Sequence, residues 1–235
     1  VASRVQPIRH PYNLRYAHLD LATQTMAGLA VCHLVGQQLI TGLVRDGEPF
    51  EEYRLVVEYD FILTITAGHE KPINLEKIQR FFFWLRDMCG YRFGKITADM
   101  YQSEAPLQAL EAKGFEVDKL SIDRDKSAYT AWRMGFEERR IRLYENAQML
   151  REAEALLEVD KKFDHPPDGS KDTTDAAAGA YFNAVNSDEK VTISSHNSAV
   201  VTTNQGIDRT LNAEQPPIEI VLPARGYDRS KVFVG

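Results

Sequence analysis

The sequence predicts an α/β fold with a central mixed sheet, a three-strand antiparallel meander plus parallel strands, flanked by helices on both faces. Three observations carry that reading. The first 67 residues hold three apolar or alternating runs separated by short polar turns, which is the pattern of antiparallel neighbours. Beyond residue 75 the apolar period lengthens from two to about 3.6, and short strands alternate with helices. Such alternation places parallel strands in a sheet covered on both sides.

Element by element, LRYAHLDLAT (14 to 23) alternates like a strand, and TMAGLAVCHLV (25 to 35) is nearly all apolar, like a buried one. RDGEPFEE (45 to 52) is a turn cluster, and YRLVVEYDFILTITA (53 to 67) is a long β-branched and aromatic strand. Leu75, Ile78, Phe82, Leu85 and Met88 share one helical face. GKITAD (94 to 99) is a short strand. SEAPLQALEAKG (103 to 114) is a helix that opens on Ser103, carries Pro106 in its first turn and stops at Gly114. FEVDKLSI (115 to 122) is another strand. Helices follow at 126 to 138 and 146 to 157 with RIRLY, a short strand, between them, and the last helix runs from Asp172 to Val185. The division expected is a lead or linker over 1–13, one domain over 14–186, and a polar tail or extension over 187–235, where IEIVLPA could add a strand.

The 235 residues suffice for one domain of about 150–190 residues with extras. No run of about 18 apolar residues is present, so no membrane span is expected. The start, VASRVQPIRHPYN, has neither an initiator Met nor an apolar signal core, and reads as a fragment of a larger protein. Cys32 and Cys89 lie in apolar segments without CxxC partners and are expected to be reduced core residues. Trp84, Trp132 and the FFF run at 81 to 83 are expected in the core. A net charge of −6 argues against a broadly basic nucleic-acid binder but leaves room for a local basic patch.

Chemistry concentrates in DHPPDGSKDTTDAAAGAYF (164 to 182). Pro166, Pro167 and Gly169 exclude helix, which leaves Asp164 and Asp168 in a loop. Ser170 or Asp172 is the expected N-cap, and Asp172 and Asp175 face the same way on the first turn. As plain structure, Asp172 caps and Asp175 complements the helix dipole. The small residues that follow, Ala176, Ala177, Ala178, Gly179 and Ala180, would let this acidic turn press onto strand ends. Asp20 lies within an apolar strand, either facing solvent or held by a partner or metal, since a carboxylate inside a sheet costs several kcal/mol unaided. Asp99 ends a strand running into a helix, where α/β sheets place their sites, although a helix-entry residue would look the same. Acids from three separate elements suit a hard divalent cation, and a pair of ions would suit phosphodiester hydrolysis.

In that order (HLDLA, a meander, ITADM, then DGSKDTTDA) the chain resembles the ribonuclease H-like superfamily, and within it the C-terminal nuclease domain of bacteriophage large terminase subunits. The resemblance covers about residues 12 to 186, and HPPDGSKDTTDAAAGA is its most specific piece. It implies an Mg²⁺- or Mn²⁺-dependent endonuclease, working with two ions, that cuts double-stranded DNA with low sequence specificity during genome packaging. It further implies a terminase ATPase domain, a small terminase subunit and a portal as partners, and the cytoplasm of an infected bacterium as location, without secretion. By position Asp20 is the first acid, Asp99 the second, and Asp172 and Asp175 share the third place, Asp172 slightly favoured as direct ligand. No G-x-x-x-x-G-K-[ST] is present; GYRFGKI (90 to 96) falls one residue short. Lys171, Arg124, Lys126, Arg139, Arg140 and Arg142 are the candidate DNA contacts, with Lys171 alternatively balancing charge, and Arg133, Arg86, Arg92 and Lys95 also lie in basic clusters. HEKPI lacks the second His of a zinc protease, SDEK has no companion motifs, and the histidines show no zinc spacing. Two other readings stand beside this one: another ribonuclease H-like enzyme, such as a junction resolvase or transposase core, and a non-catalytic docking module.

Overall fold

A computed structural model describes residues 10–21, 24–68, 71–99, 104–160, 162–187, 190–193 and 199–202, with side chains as far as 187. Strand β1 (Leu14–Leu21) pairs antiparallel with β2 (Met26–Arg45), and β2 with β3 (Glu48–Thr66). Helix α1 (Leu75–Asp87) leads to β4 (Arg92–Ala98), which runs parallel to β1. Next come α2 (Glu104–Glu111), β5 (Val117–Lys119) parallel to β4, a 3₁₀ turn (Ile122–Arg124), α3 (Ser127–Glu137), and β6 (Ile141–Arg142) parallel to β3. Helix α4 (Ala147–Ala155), the hairpin β7 (Leu157–Val159) and β8 (Lys162–Asp164), helix α5 (Asp172–Val185) and the pair β9 (Lys190–Ile193) and β10 (Ala199–Thr202) complete the order. The main sheet has strand order β5-β4-β1-β2-β3-β6.

Period-two alternation divides the core between the two faces of this sheet. Ala17, Leu19 and Leu21 of β1 pack with Ile78, Phe82, Leu85, Leu107 and Leu110 of α1 and α2. Tyr16 packs on the other face with Trp132, Met149 and the alanines of α5. Both faces of β1 are therefore covered, and Asp20 is half-buried rather than freely solvent-facing. Helix α5 lies so close that sheet side chains hydrogen-bond its backbone: Tyr59 Oη donates to the Ala177 carbonyl at 2.7 Å and Cys32 Sγ to that of Ala180 at 3.2 Å.

Several expectations are corrected. The turn cluster at 45–52 is a two-residue Asp46–Gly47 turn with φ of 53° and 85°, the left-handed pair a tight hairpin needs, so β2 and β3 run right up to it. The strand at 115–122 shrinks to three residues because the chain swings into the 3₁₀ turn. Asp164 ends β8 rather than lying in a loop. Met88 and Trp84 are exposed, on the last turn and outer face of α1, and Cys89 is only partly buried; Trp132, Phe82 and Cys32 are in the core. Within the tail, β9 and β10 pair antiparallel. The strand suggested at IEIVLPA and the cap at Ser103 lie outside the described residues, as do residues 1–9 of the lead. Among the described residues no helix is long and apolar enough to cross a membrane.

Candidate metal centre

Three elements deliver the acidic side chains. Asp20 is the seventh residue of β1 and pairs across the ladder with Gly28 of β2, which pairs in turn with Thr64 of β3. Asp99 follows the last residue of β4, and its amide donates to the Leu19 carbonyl at 3.3 Å, which holds it beside the end of β1. The first turn of α5 supplies Asp172 and Asp175. It is seated by two contacts with that same row of the sheet. A Cβ built on Gly28 would lie 1.9 Å from the Asp172 carbonyl oxygen, so backbone touches backbone there. The Thr64 and Thr173 hydroxyls meet at 2.8 Å.

The first turn is capped only in part as its sequence suggests. The N-cap residue is Lys171, whose side chain makes no cap. Ser170 Oγ instead donates to Asp172 Oδ2 at 3.1 Å. The orphan Thr174 amide donates to Glu152 Oε2 of α4 at 2.9 Å, and the Thr174 hydroxyl to the same oxygen at 3.1 Å. Capping is thus shared by Ser170, whose Oγ accepts from the Asp172 amide at 3.4 Å, and by Glu152 of another helix, and the Asp172 carboxyl takes no part in it. Glu152→Ala is expected to leave that buried amide unsatisfied and cost about 2 kcal/mol, read in urea melts as a lower midpoint at unchanged slope.

Asp175 is buried. Its Oδ1 accepts from Tyr129 Oη and its Oδ2 from Lys171 Nζ. Lys171, also buried, donates to Asp123 Oδ1 at 2.7 Å. Burial pulls the Lys171 ammonium down, but the two carboxylates more than offset it and hold it above the ordinary lysine value. Burial pushes Asp175 up to about 6, against the pull of Lys171 and Tyr129. Asp20 is pushed up to about 9, first by burial, then by the negative charges of Asp175 and Asp172, with Lys171 opposing and Asp99 adding a smaller push. Asp172 is raised by burial, with Glu152 adding to the shift while Ser170, Lys171 and His165 oppose it. Asp20 thus feels all three of the other predicted acids, which is how the structure brings the four together.

The four do not close into a tight set. Among the described residues, the three-residue group whose ligand atoms all lie within 4.8 Å of one another is elsewhere, at His10, His33 and Glu58. The four aspartates stand further apart than that. Their all-oxygen donor set and the raised Asp20 and Asp175 carboxyls fit a hard divalent ion, which would supply the missing positive charge.

The basic residues are dispersed. Arg140 is buried, donating to the Leu55 carbonyl at 2.7 Å, to Tyr181 Oη at 2.8 Å and to Glu138, so it is a core residue and not a phosphate contact. Arg142 pairs in register with Glu58, in the row of His33 and Arg15, roughly 17 Å along the strands from the row of Asp20. Lys126 is paired with Glu158, while Arg124 and Arg139 are exposed. Lys171 is held between two carboxylates, which is its charge-balancing alternative. Of the residues sequence reasoning missed, Gly28 carried a signal, as an isolated glycine in an apolar strand. Tyr129, Asp123 and Glu152 carried none, since each reaches the site only through the fold.

No protein-family model matches the sequence, and no curated protein matches it significantly. Solved structures do. The large terminase of bacteriophage HK97 superposes with a TM-score of 0.52 at 11% identity, over 74% of this chain and 40% of that one. The large terminase of a thermophilic bacteriophage gives 0.53 at 15%, over 76% and 42%. The chain spans about two fifths of the length of either. At these identities the likeness is one of fold, a mixed sheet with helices on both faces.

Proposed function

We propose that this chain is a divalent-metal-dependent DNA endonuclease of the kind phage terminases carry, hydrolysing phosphodiester bonds of double-stranded DNA during genome packaging. The observation that carries this reading is the convergence of Asp20, Asp99, Asp172 and Asp175 from two parallel strand ends and one helix start. The shared fold adds support. Mg²⁺ or Mn²⁺, bound by these carboxylates as two ions, would activate the attacking water and stabilise the leaving oxygen. The protein's own part is preparation. Tyr129 and Lys171 orient Asp175, Ser170 orients Asp172, and the hydrogen bond from the Asp99 amide to the Leu19 carbonyl holds that acid beside Asp20. Water is the nucleophile, and no covalent protein intermediate is needed. An ATPase domain, a small terminase subunit and a portal would be its partners in the infected cell.

The direct test is nicking and linearisation of plasmid DNA with Mn²⁺, Mg²⁺ or EDTA. Cleavage that requires metal is the expected result. Folded protein that leaves plasmid intact in every metal but binds ions would point to a missing motor half, and no ion binding at all would remove the reading. Preference for branched over linear duplex would reassign the chain to a resolvase.

Metal affinity should climb with pH. Below about pH 6 both Asp175 and Asp20 hold protons that a cation has to displace, and up to about 9 Asp20 still does. Mn²⁺ affinity measured by calorimetry is expected to rise by up to about tenfold per pH unit between 6 and 9, with net proton release. A flat profile would mean that the ion does not contact Asp20.

A further inference from the structure

We propose that His10, His33 and Glu58 form a second, separate metal site, for a borderline transition ion such as Zn²⁺, clasping the segment before β1 onto the sheet. His33 and Glu58 are direct cross-strand partners in β2 and β3, and the His10 ring lies 5.3 Å from that of His33, centroid to centroid. One ligand atom from each lies within 4.8 Å of the other two. This row of the sheet holds Arg15, five residues and roughly 17 Å from Asp20, so the two sites are distinct.

The case turns on His33. It is fully buried, and its Nδ1 sits 3.0 Å from Asp60 Oδ2. Asp60 also accepts from Arg15 Nε and Nη2, each at 3.3 Å, an ion pair that leaves its carboxylate an acceptor toward His33. The proton of a neutral His33 ring therefore sits on Nδ1, and Nε2 presents a lone pair. That Nε2 is buried with no hydrogen-bond partner among the described residues. An unsatisfied buried nitrogen is costly, and a carboxylate fixing the far side of a ring whose other nitrogen is bare is the arrangement that prepares a histidine for metal.

His10 answers from the opposite side. Its backbone is in the left-handed region at φ 46°, uncommon for a non-glycine residue, and its carbonyl accepts from Arg15 Nη1 at 2.6 Å. Two imidazoles and a carboxylate suit Zn²⁺ or its neighbours better than Mg²⁺, and leave a fourth position for water. Bonds near 2 Å would bring the ligand atoms to roughly 3.3 Å of one another, a closure that falls on His10. Arg142 Nη1, 3.9 Å from Glu58 Oε2, is one group a cation would compete with. The histidines are far apart in sequence, which is why their spacing gave no zinc signature.

The test uses the full 235-residue chain without a histidine tag, stripped with EDTA and titrated with Zn²⁺ in saturating Mg²⁺, with Co²⁺ absorption reporting the ligand set. The wild type and Asp20→Asn are expected to bind one Zn²⁺ equally. His10→Gln should weaken that binding by about 100-fold or more while leaving Mg²⁺-dependent cleavage unchanged, and Glu58→Gln should weaken it too. His10 is only partly buried, so its variant is expected to fold, which a thermal melt checks. The proposal is overturned if the wild type takes up no Zn²⁺, if folded His10→Gln binds as the wild type does, or if Asp20→Asn loses the ion.

Discussion

Asp20→Asn is expected to cut metal-dependent cleavage by about 10²-fold or more while making the metal-free protein harder to unfold. The two effects share one cause. Asp20 is raised from an ordinary 3.8 to about 9 by burial and by its acidic neighbours. Between those values the folded protein holds a proton that the unfolded chain releases. The stability linked to this group is therefore present in full below about pH 4 and drains away as pH rises toward 9. Asparagine keeps the shape and cannot ionise, so the variant loses nothing at this position over that window. Its melting temperature should exceed that of the wild type by a margin that widens from pH 5 to pH 9, at roughly 2–4 °C per kcal/mol recovered. Mn²⁺ should reverse the order by stabilising only the wild type. Thermal melts across that range, with and without Mn²⁺, beside the plasmid assay, decide the matter. A variant that cleaves normally, or one that melts earlier than the wild type at pH 8 without metal, would sink the assignment of Asp20.

Gly28→Ala is the second large effect expected, from a residue with no chemistry of its own. The added methyl would stand 1.9 Å from the Asp172 carbonyl oxygen, 2.6 Å from its carbon and 2.9 Å from Ala176 Cβ. Two of these obstacles are backbone, so no rotamer change relieves the clash and α5 has to back away. The stability cost should reach or exceed the top of the roughly 1–3 kcal/mol typical of overpacking. Displacing the first turn by about 1 Å should also lower cleavage by about 10²-fold even in protein that remains folded. Urea melts and cleavage rates at matched folded fraction test both parts. Wild-type activity in Gly28→Ala would show that the seat of α5 does not set the metal centre.

Much of this could be read from residues near one another in the chain. The Ala-Gly surface of α5 and the acids ahead of it announced a helix pressed on a sheet, and that is where Asp172 and Asp175 lie. Asp20 and Asp99 were legible as charge at odds with its strand. The alternation around Asp20, however, does not say that both faces of β1 are covered, because that depends on helices more than fifty residues away. The partners that tune the acids were illegible for the same reason: Tyr129, Asp123 and Glu152 meet them only after α3 and α4 have packed. The basic run 139–142 looked like one patch, but the short β6 buries Arg140 and turns Arg142 toward Glu58, at the far end of the sheet.

Helix α5 and the sheet are keyed to each other by two reciprocal notches. Gly28 is a gap in the sheet that admits the helix backbone at Asp172. Gly179 is a gap in the helix that admits the His18 ring, where a Cβ would lie 2.3 Å from that ring. The notches fall seven helical residues apart, about 10 Å along the axis. A rod pinned at two such points can neither slide nor roll without lifting off. Any control over the acidic centre therefore has to act through protons, ions or the surrounding loops, because the helix that carries half of its acids has no second position to occupy.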